Sequence, residues 1–564
     1  MSGYRWRVMP PEWKIARAIG LSAAIAVVAV AGWLAGNEPP SSSSAVSVEP
    51  VAKPSQSAPT AFFPLATKYI GVSGCTAAAC HGDAISTDER LKWKSSYTVW
   101  ASPELRGTAA NRPGDARESA GLVDRHNRAY SVLFDERSKR IVQLLDGLPD
   151  VKSAAPHRDA RCTACHSVPV DPKTAPTALL ADGVGCELCH GPAKNWIREH
   201  TQINWLAGYH AGKSEPLPDM WDTHNLLSRA KICASCHVGD RPAGREVNHD
   251  FIAAGHPRLN FEFHAYLGVM PKHWCDAPSA KAGFRTDRES HAEIWAIGQL
   301  TAAEAALRLL AARAAAAEKE SNSPERAPLP EFAEYDCYAC HHTIDPKRPA
   351  APRLDKFSEK KSPRLNSLPW TWGTWYFPDG ELRLLLASDA LAKSAEAKTA
   401  IDLIERLRTE MAKAAPDAAA VHAMASDAAG QLDRLAKRVD QIAFDARTIE
   451  GLLARAAAED FTPADWDEVA QRFLTLEALW KAYQFANGQK PSGEQATEIA
   501  ASLEQIRAKL EFPRPAKHSI TGPDGKPVLS RIDSPTGFDP QAIARQFAST
   551  STLIHKLLGV KEHP

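Results

Sequence analysis

Net charge is missing from this chain: 67 Lys and Arg residues face 67 Asp and Glu residues across 564 positions. Such a balance provides no global field to draw in nucleic acid or an anionic membrane surface. Aromatic residues are scarce at 7%. Alanine is abundant instead, which suits a mostly helical protein with close helix packing. Methionine is rarer still, with six in all, and only Met220 and Met270 fall in the segment that carries the cysteines. From about residue 370 to the end there is no cysteine at all. The 11 cysteines are therefore concentrated in one half, too many and too regularly placed for an ordinary cytosolic enzyme.

The N-terminus reads as a targeting segment. Arg5, Arg7, Lys14 and Arg17 precede an uncharged run from Ala18 to Asn37, long enough to span a bilayer as a helix. The basic flank orients it with the body of the protein outside the cytoplasm. The rival is a cleaved signal peptide, since Ala29-Val30-Ala31 forms an A-x-A site, and both readings export the chain. The expected organisation is an anchor or signal over 1–37, a Pro/Ser-rich tether over 38–66 and a cysteine-bearing domain over 67–350. A Pro/Lys-rich linker over 351–369 then leads to a helical bundle over 370–564.

The final segment has helical periodicity. In 462–486, Thr462, Pro463 and Asp465 form a start signal, and Trp466, Val469, Phe473, Leu476, Trp480 and Tyr483 step along one face. Ile401, Ile404, Leu407 and Met411 make a second such face. These stripes read as bundle core. The expected fold class is mostly α: a loop-rich domain with few strands, followed by a C-terminal α-helical bundle.

The cysteines fall into five copies of one pattern. CTACH places Cys162 and Cys165 before His166, and CELCH places Cys186 and Cys189 before His190. CASCH places Cys233 and Cys236 before His237, CYACH places Cys337 and Cys340 before His341, and a looser CTAAACH places Cys75 and Cys80 before His81. C-x-x-C-H is the signature of covalent c-type haem attachment. Two thiols each reach a vinyl group on one porphyrin edge, and the next side chain brings an imidazole nitrogen under the iron. Zinc is the serious alternative for the middle pair, because 20 residues separate Cys165 from Cys186, a zinc-ribbon spacing. Yet a histidine follows each of the four CxxC pairs, an arrangement that chance would give about once in a million for so few histidines. Zinc and disulfides leave those histidines unexplained. Five covalent haem c groups are expected.

Axial ligands set haem potential. With so few methionines, the sixth ligands must come from the other histidines of this region: 126, 157, 200, 210, 224, 249, 256, 264, 273 and 291. Bis-histidine, low-potential haems follow. His256 stands between Gly255 and Pro257, which fix its backbone, with Pro257 suited to start a following helix. His249 shares that loop-like stretch. His200 lies ten residues past His190, His157 five before Cys162, and His126 on an expected helix between the first two motifs. These five, His126, His157, His200, His249 and His256, are the expected distal ligands. Cys275 reads as a buried free thiol, and Trp370, Trp372 and Trp375 as a seal between the two halves.

At these residues the chain resembles the multihaem cytochromes related to the tetrahaem cytochrome c that accepts electrons from hydroxylamine oxidoreductase. The resemblance spans about residues 70 to 260. It rests on a first haem site, Trp100 with His126-Asn127-Arg128-Ala129, then CTACH, GVGCELCHGP with His200, and CASCH. It implies that His126 and His200 ligate haems distant in sequence and that haems pack in close pairs. The tetrahaem form lacks the fifth site and the helical C-terminal half, and leaves one haem without a distal ligand. His157 and His249 are candidates for that vacancy here.

The expected function is electron transfer by a membrane-anchored periplasmic cytochrome, between redox-protein donor and acceptor and without nucleic acid. The rivals are a haem enzyme with one open iron acting on a small nitrogen or sulfur species, and a redox subunit of a respiratory complex. No CxxCK motif marks an enzyme site, so no catalytic residue is assigned.

Overall fold

The computed structural model describes residues 68–102 except 87, 124–274 except 211–213, and 291–335 except 320–322, 324 and 325. It further describes 372–457 except 378, 379, 389, 390 and 443, then 461, 466–486, 493–510, 519–521, 527–529 and 540–560. The expected anchor, the tether, the fifth CxxCH site, Cys275, Trp370 and the start signal at Thr462 to Asp465 lie outside these residues. Among the described residues, no helix is long and apolar enough to cross a membrane.

The architecture is mostly α, as the sequence implies, and the described strands are one short antiparallel pair, β1 (Ser519–Thr521) and β2 (Pro527–Leu529). The cysteine-bearing half is built from short helices and single 3-10 turns joined by loops. Four of its helices are α1 (Glu136–Asp146), α2 (Ala160–His166), α3 (Leu226–His237) and α4 (Phe263–Val269). Acidic or amide side chains start them: Asp159 accepts from the Arg161 N–H, Asn225 from Ser228 and Glu262 from Ala265.

The second half contains α5 (His291–Ala317), α6 (Ala395–Met411), α7 (Ala418–Val439), α8 (Ala446–Ala456), α9 (Trp466–Ala486), α10 (Glu494–Leu510) and α11 (Pro540–Leu558). Ser394, Asp417 and Asp445 cap α6, α7 and α8. α5 is buried almost all round and packs along α7, with Ala292, Ala296, Ala303 and Ala314 on one helix and Ala425, Ala428, Ala429 and Ala436 on the other. Small side chains let the two backbones approach closely. The α9 stripe is core: Trp466, Val469, Phe473, Leu476 and Trp480 are buried, with Tyr483 packed against them.

One apolar core runs through both halves, from Leu227 and Phe261 through α5 to α11. Polar ties reinforce the joint. Arg313 of α5, 2% exposed, reaches Glu246 at 2.7 Å and Glu334 at 2.5 Å. Arg258 meets Asp467 at 2.8 Å, and Lys231 of α3 pairs with Asp433 of α7. Trp375 donates to the Phe261 carbonyl at 3.0 Å and Trp372 to Glu334 at 2.7 Å, so these two tryptophans seal the joint as expected. A smaller cluster of Tyr69, Tyr130, Leu133, Val168, Val170, Leu180 and Leu188 supports the first three cysteine sites.

Two local expectations are corrected. His126 lies on a single 3-10 turn, His126–Arg128, and not on a regular helix. Pro257 does not start a helix: the chain runs on without helix until α4 begins at Phe263.

Candidate functional site

Each described CxxCH histidine closes a short helical turn. Cys162, Cys165 and His166 end α2, and Cys233, Cys236 and His237 end α3. The four-residue helix Glu187–His190 carries Cys189 and His190, with Cys186 at its N-cap. Cys75 ends a 3-10 turn, with Cys80 and His81 in the loop that follows. The glycines around CELCH are required by close approach. At Gly183 φ is +63° and a Cβ would lie 2.9 Å from the His126 carbonyl oxygen. At Gly191 φ is +84° and a Cβ would fall 2.1 Å from the Asp219 carbonyl oxygen.

Sites far apart in sequence meet in space. The Cys75 thiol lies beside Cys186, and that of Cys165 beside Cys236. Cys189 has the thiols of Cys233 and Cys236 nearby. The order of contact is therefore first site, third, fourth, second. The zinc alternative needs Cys162, Cys165, Cys186 and Cys189 around one ion. The fold instead sends Cys165 to Cys236 and Cys186 to Cys75, and no group of three or more His, Cys, Asp or Glu among the described residues is placed to hold a metal ion.

Imidazoles face one another in pairs. Ring centres are 6.3 Å apart for His81 and His200, 6.2 Å for His237 and His126, and 6.4 Å for His166 and His256. A metal bound at about 2.0–2.1 Å by ring nitrogens on opposite sides spaces two imidazole centres by roughly 6.3 Å. Each of these pairs leaves room for one iron. The other nitrogen of most of these rings is committed. Nδ1 of His81, His166, His200 and His256 donates to the carbonyls of Trp93, Ala129, Ile197 and Pro257 at 2.9, 2.7, 2.8 and 2.8 Å. His126 Nδ1 meets Asp124 at 2.9 Å. Such bonds fix the tautomer and aim Nε2 at the metal. Burial pushes His237 and His256 down to about 4 and His190 to about 3, so all three are neutral at pH 7. Burial also lowers His126, but the Asp124 bond outweighs it and the net direction is upward.

Three of the five expected distal ligands, His126, His200 and His256, are thus opposed to proximal histidines. His157 is not: its ring stacks on Phe134 at 4.5 Å, and Tyr130 donates to its carbonyl. His249 stands edge-on to Phe332 at 6.0 Å, with its backbone N–H on Glu331; both partners come just before the fifth motif in sequence. His264 and His291 join Nε2 to Nδ1 at 2.9 Å, too close for a metal between them.

Sequence reasoning named His273 only within the pool of ten and missed two further residues. His273 lies near the His190 imidazole, as do His81, His224 and His200. Glu187, 2% exposed, accepts from the N–H of Ile70 at 3.1 Å, Gly71 at 2.8 Å and Ala193 at 2.7 Å. Asp182 accepts from Val72 at 2.8 Å. The two carboxylates bind the loop before Cys75 to the third site.

Among known families, the one described as Cytochrome c554 and c-prime matches residues 123–191, the stretch with His126 and the second and third motifs. The match supports a c-type cytochrome with covalently bound haem and a role in electron transfer. No curated protein and no solved structure matches the chain.

Proposed function

We propose that this chain is a pentahaem c-type cytochrome that relays electrons through mainly bis-histidine, low-potential haems. In this reading an N-terminal helix anchors it to the inner membrane with its body in the periplasm. The observation that carries the proposal is the set of three imidazole pairs at 6.2–6.4 Å. His81 with His200, His166 with His256 and His237 with His126 would each hold one iron, and His273 is the partner argued for His190. His249, held by Glu331 and Phe332 just ahead of the fifth motif in sequence, is the candidate distal ligand for that site. Bound haem supplies iron that gains and loses one electron at a time. The paired imidazoles would fill both axial positions of that iron, with burial favouring the neutral form of His190, His237 and His256 and backbone carbonyls fixing the tautomer of His81, His166, His200 and His256. The contact order of the attachment cysteines makes a line from the first site through the third and fourth to the second. The uncharged run 18–37 with its basic flank supports the anchor. Redox proteins at the two ends, or a respiratory complex holding the whole chain, would be the partners.

Low-temperature EPR of the fully oxidised protein, with haem quantified, tests the reading. The ring planes make 10° for His81 and His200, 89° for His166 and His256, and 75° for His237 and His126. Parallel imidazoles split the iron dπ levels and give a rhombic low-spin signal; crossed imidazoles leave them nearly degenerate and give a large-gmax signal. One rhombic and at least two large-gmax species are expected. A high-spin signal amounting to one haem and altered by nitrite or nitric oxide would favour an enzyme instead.

A further inference from the structure

One arginine joins two of the CxxCH loops with no carboxylate bonded to it. After α3 ends at His237 the chain turns back on itself. Asp240 and Arg245 pair as a single antiparallel bridge, the Asp240 N–H on the Arg245 carbonyl at 2.7 Å and the Arg245 N–H on the Asp240 carbonyl at 3.0 Å. The turn between them closes at Gly244, where φ is +71°. This return brings the Arg245 side chain onto both motifs. Its Nε donates to the Ala164 carbonyl at 3.0 Å and its Nη1 to Ser235 Oγ at 2.6 Å. Ala164 stands between Cys162 and Cys165, and Ser235 between Cys233 and Cys236. A single guanidinium therefore ties together two attachment loops that are remote in sequence.

The acids around it are committed elsewhere. Glu246, its chain neighbour, pairs with Arg313 and Arg241. Asp240 acts on Arg245 only through space, its carboxylate accepting from the Ala243 N–H at 3.4 Å. Among the described residues no carboxylate hydrogen-bonds to the guanidinium. The thiols of Cys165 and Cys236 and the phenol of buried Tyr69 all lie within reach of its charge. Arginine stays protonated in such surroundings. It is a fixed positive charge, weakly screened, that the second and fourth sites share.

We propose that Arg245 is a positioning residue for electron transfer: it locks the second and fourth attachment loops together and, as a fixed cation between them, raises the reduction potential of both haems. The inference rests on the haem reading of those sites. Reduction adds one electron and leaves the iron less positive, so a neighbouring cation favours the ferrous state. The line of sites ends in this pair, and the charge draws electrons towards that end.

The test is an EPR-monitored redox titration of the full-length holoprotein and of Arg245→Gln, with haem counted by peptide mass. The two signals assigned to crossed imidazoles, His166 with His256 and His237 with His126, should titrate at lower potential in the variant. The rhombic signal of His81 and His200 should not move, and all covalent haem should be retained. Arg245→Lys keeps the charge without the two-armed fork and should restore most of the shift. Unchanged potentials in Arg245→Gln overturn the inference; so does a shift shared by the rhombic signal, which would mark a general loosening of the fold. If Arg245→Gln does not fold, Arg245→Lys decides alone. An ammonium loses its proton in alkaline titration and a guanidinium does not, so both potentials should drop at high pH in that variant and not in the wild type. Equal behaviour of the two refutes the inference. Wild-type peptides without haem at Cys162 and Cys165, or at Cys233 and Cys236, would instead sink the underlying haem reading.

Discussion

Replacing Glu187 with alanine removes the one side chain that gathers three backbone donors from two separate loops. Hydrogen bonds to Gly71 and Ala193, at 2.8 and 2.7 Å, are buried, and the bond to Ile70 is partly so. Each buried N–H left without a partner costs about 1–3 kcal/mol. The two fully buried donors together give about 2–6 kcal/mol, with Ile70 adding less because water reaches it. At about 1.4 kcal/mol per factor of ten, the folded-to-unfolded ratio should drop by one to four powers of ten. Glu187→Gln keeps one acceptor oxygen and should fall between wild type and Glu187→Ala. Urea unfolding of the holoprotein, followed by tryptophan fluorescence and by Soret absorption, measures this. The exposed Glu199→Ala is the control, expected within about 0.5 kcal/mol of wild type. If Glu187→Ala is equally harmless, the carboxylate does not hold the first site against the third, and the reasoning fails.

His256→Met should leave haem content unchanged and raise the potential of one haem, because thioether opposite imidazole favours ferrous iron; an unaltered redox titration would remove His256 from the ligands. Replacing Cys186 and Cys189 together with alanine should lose one covalent haem by mass, and full retention would undo the attachment assignment. Burial raises the Glu246 carboxyl, but Arg313 and Arg241 outweigh burial and hold it below its ordinary value. A depressed carboxylate stabilises above its unfolded value, about 4.3, and that contribution disappears as pH falls through the folded value. The stability gap between wild type and Glu246→Gln should therefore be full at pH 7 and close below about pH 4. A gap constant over that range would show that the ion pair is not its origin.

The covalent chemistry was legible in the sequence because it is local: thiol, thiol and imidazole within five to seven residues must serve one group. The helical class and the buried stripe from Trp466 to Trp480 were legible for a similar reason, since periodicity is a local signal. The pairing of imidazoles was not. His81 meets His200 and His237 meets His126 only through loops without periodicity, held by second partners that are mostly backbone carbonyls, such as those of Trp93 and Ala129. Every residue carries a carbonyl, so nothing in the sequence marks these. His157 looked as suitable as His256 by spacing, yet an aromatic neighbour, Phe134, claims its ring. Glu187 sits inside the motif itself, and its role shows only when the loop 117 residues upstream folds back on it.

The thiol contacts between distant sites bear on how such a chain is made. Cys75 lies beside Cys186, and Cys165 beside Cys236. On the proposed haem reading, a chain that folds before attachment brings together sulfurs meant for different haems. Under oxidising conditions each contact would close as a wrong cross-link, sealing two sites at once. On that reading attachment would have to outrun collapse, and Cys165 would become vulnerable only once Cys236 has been synthesised.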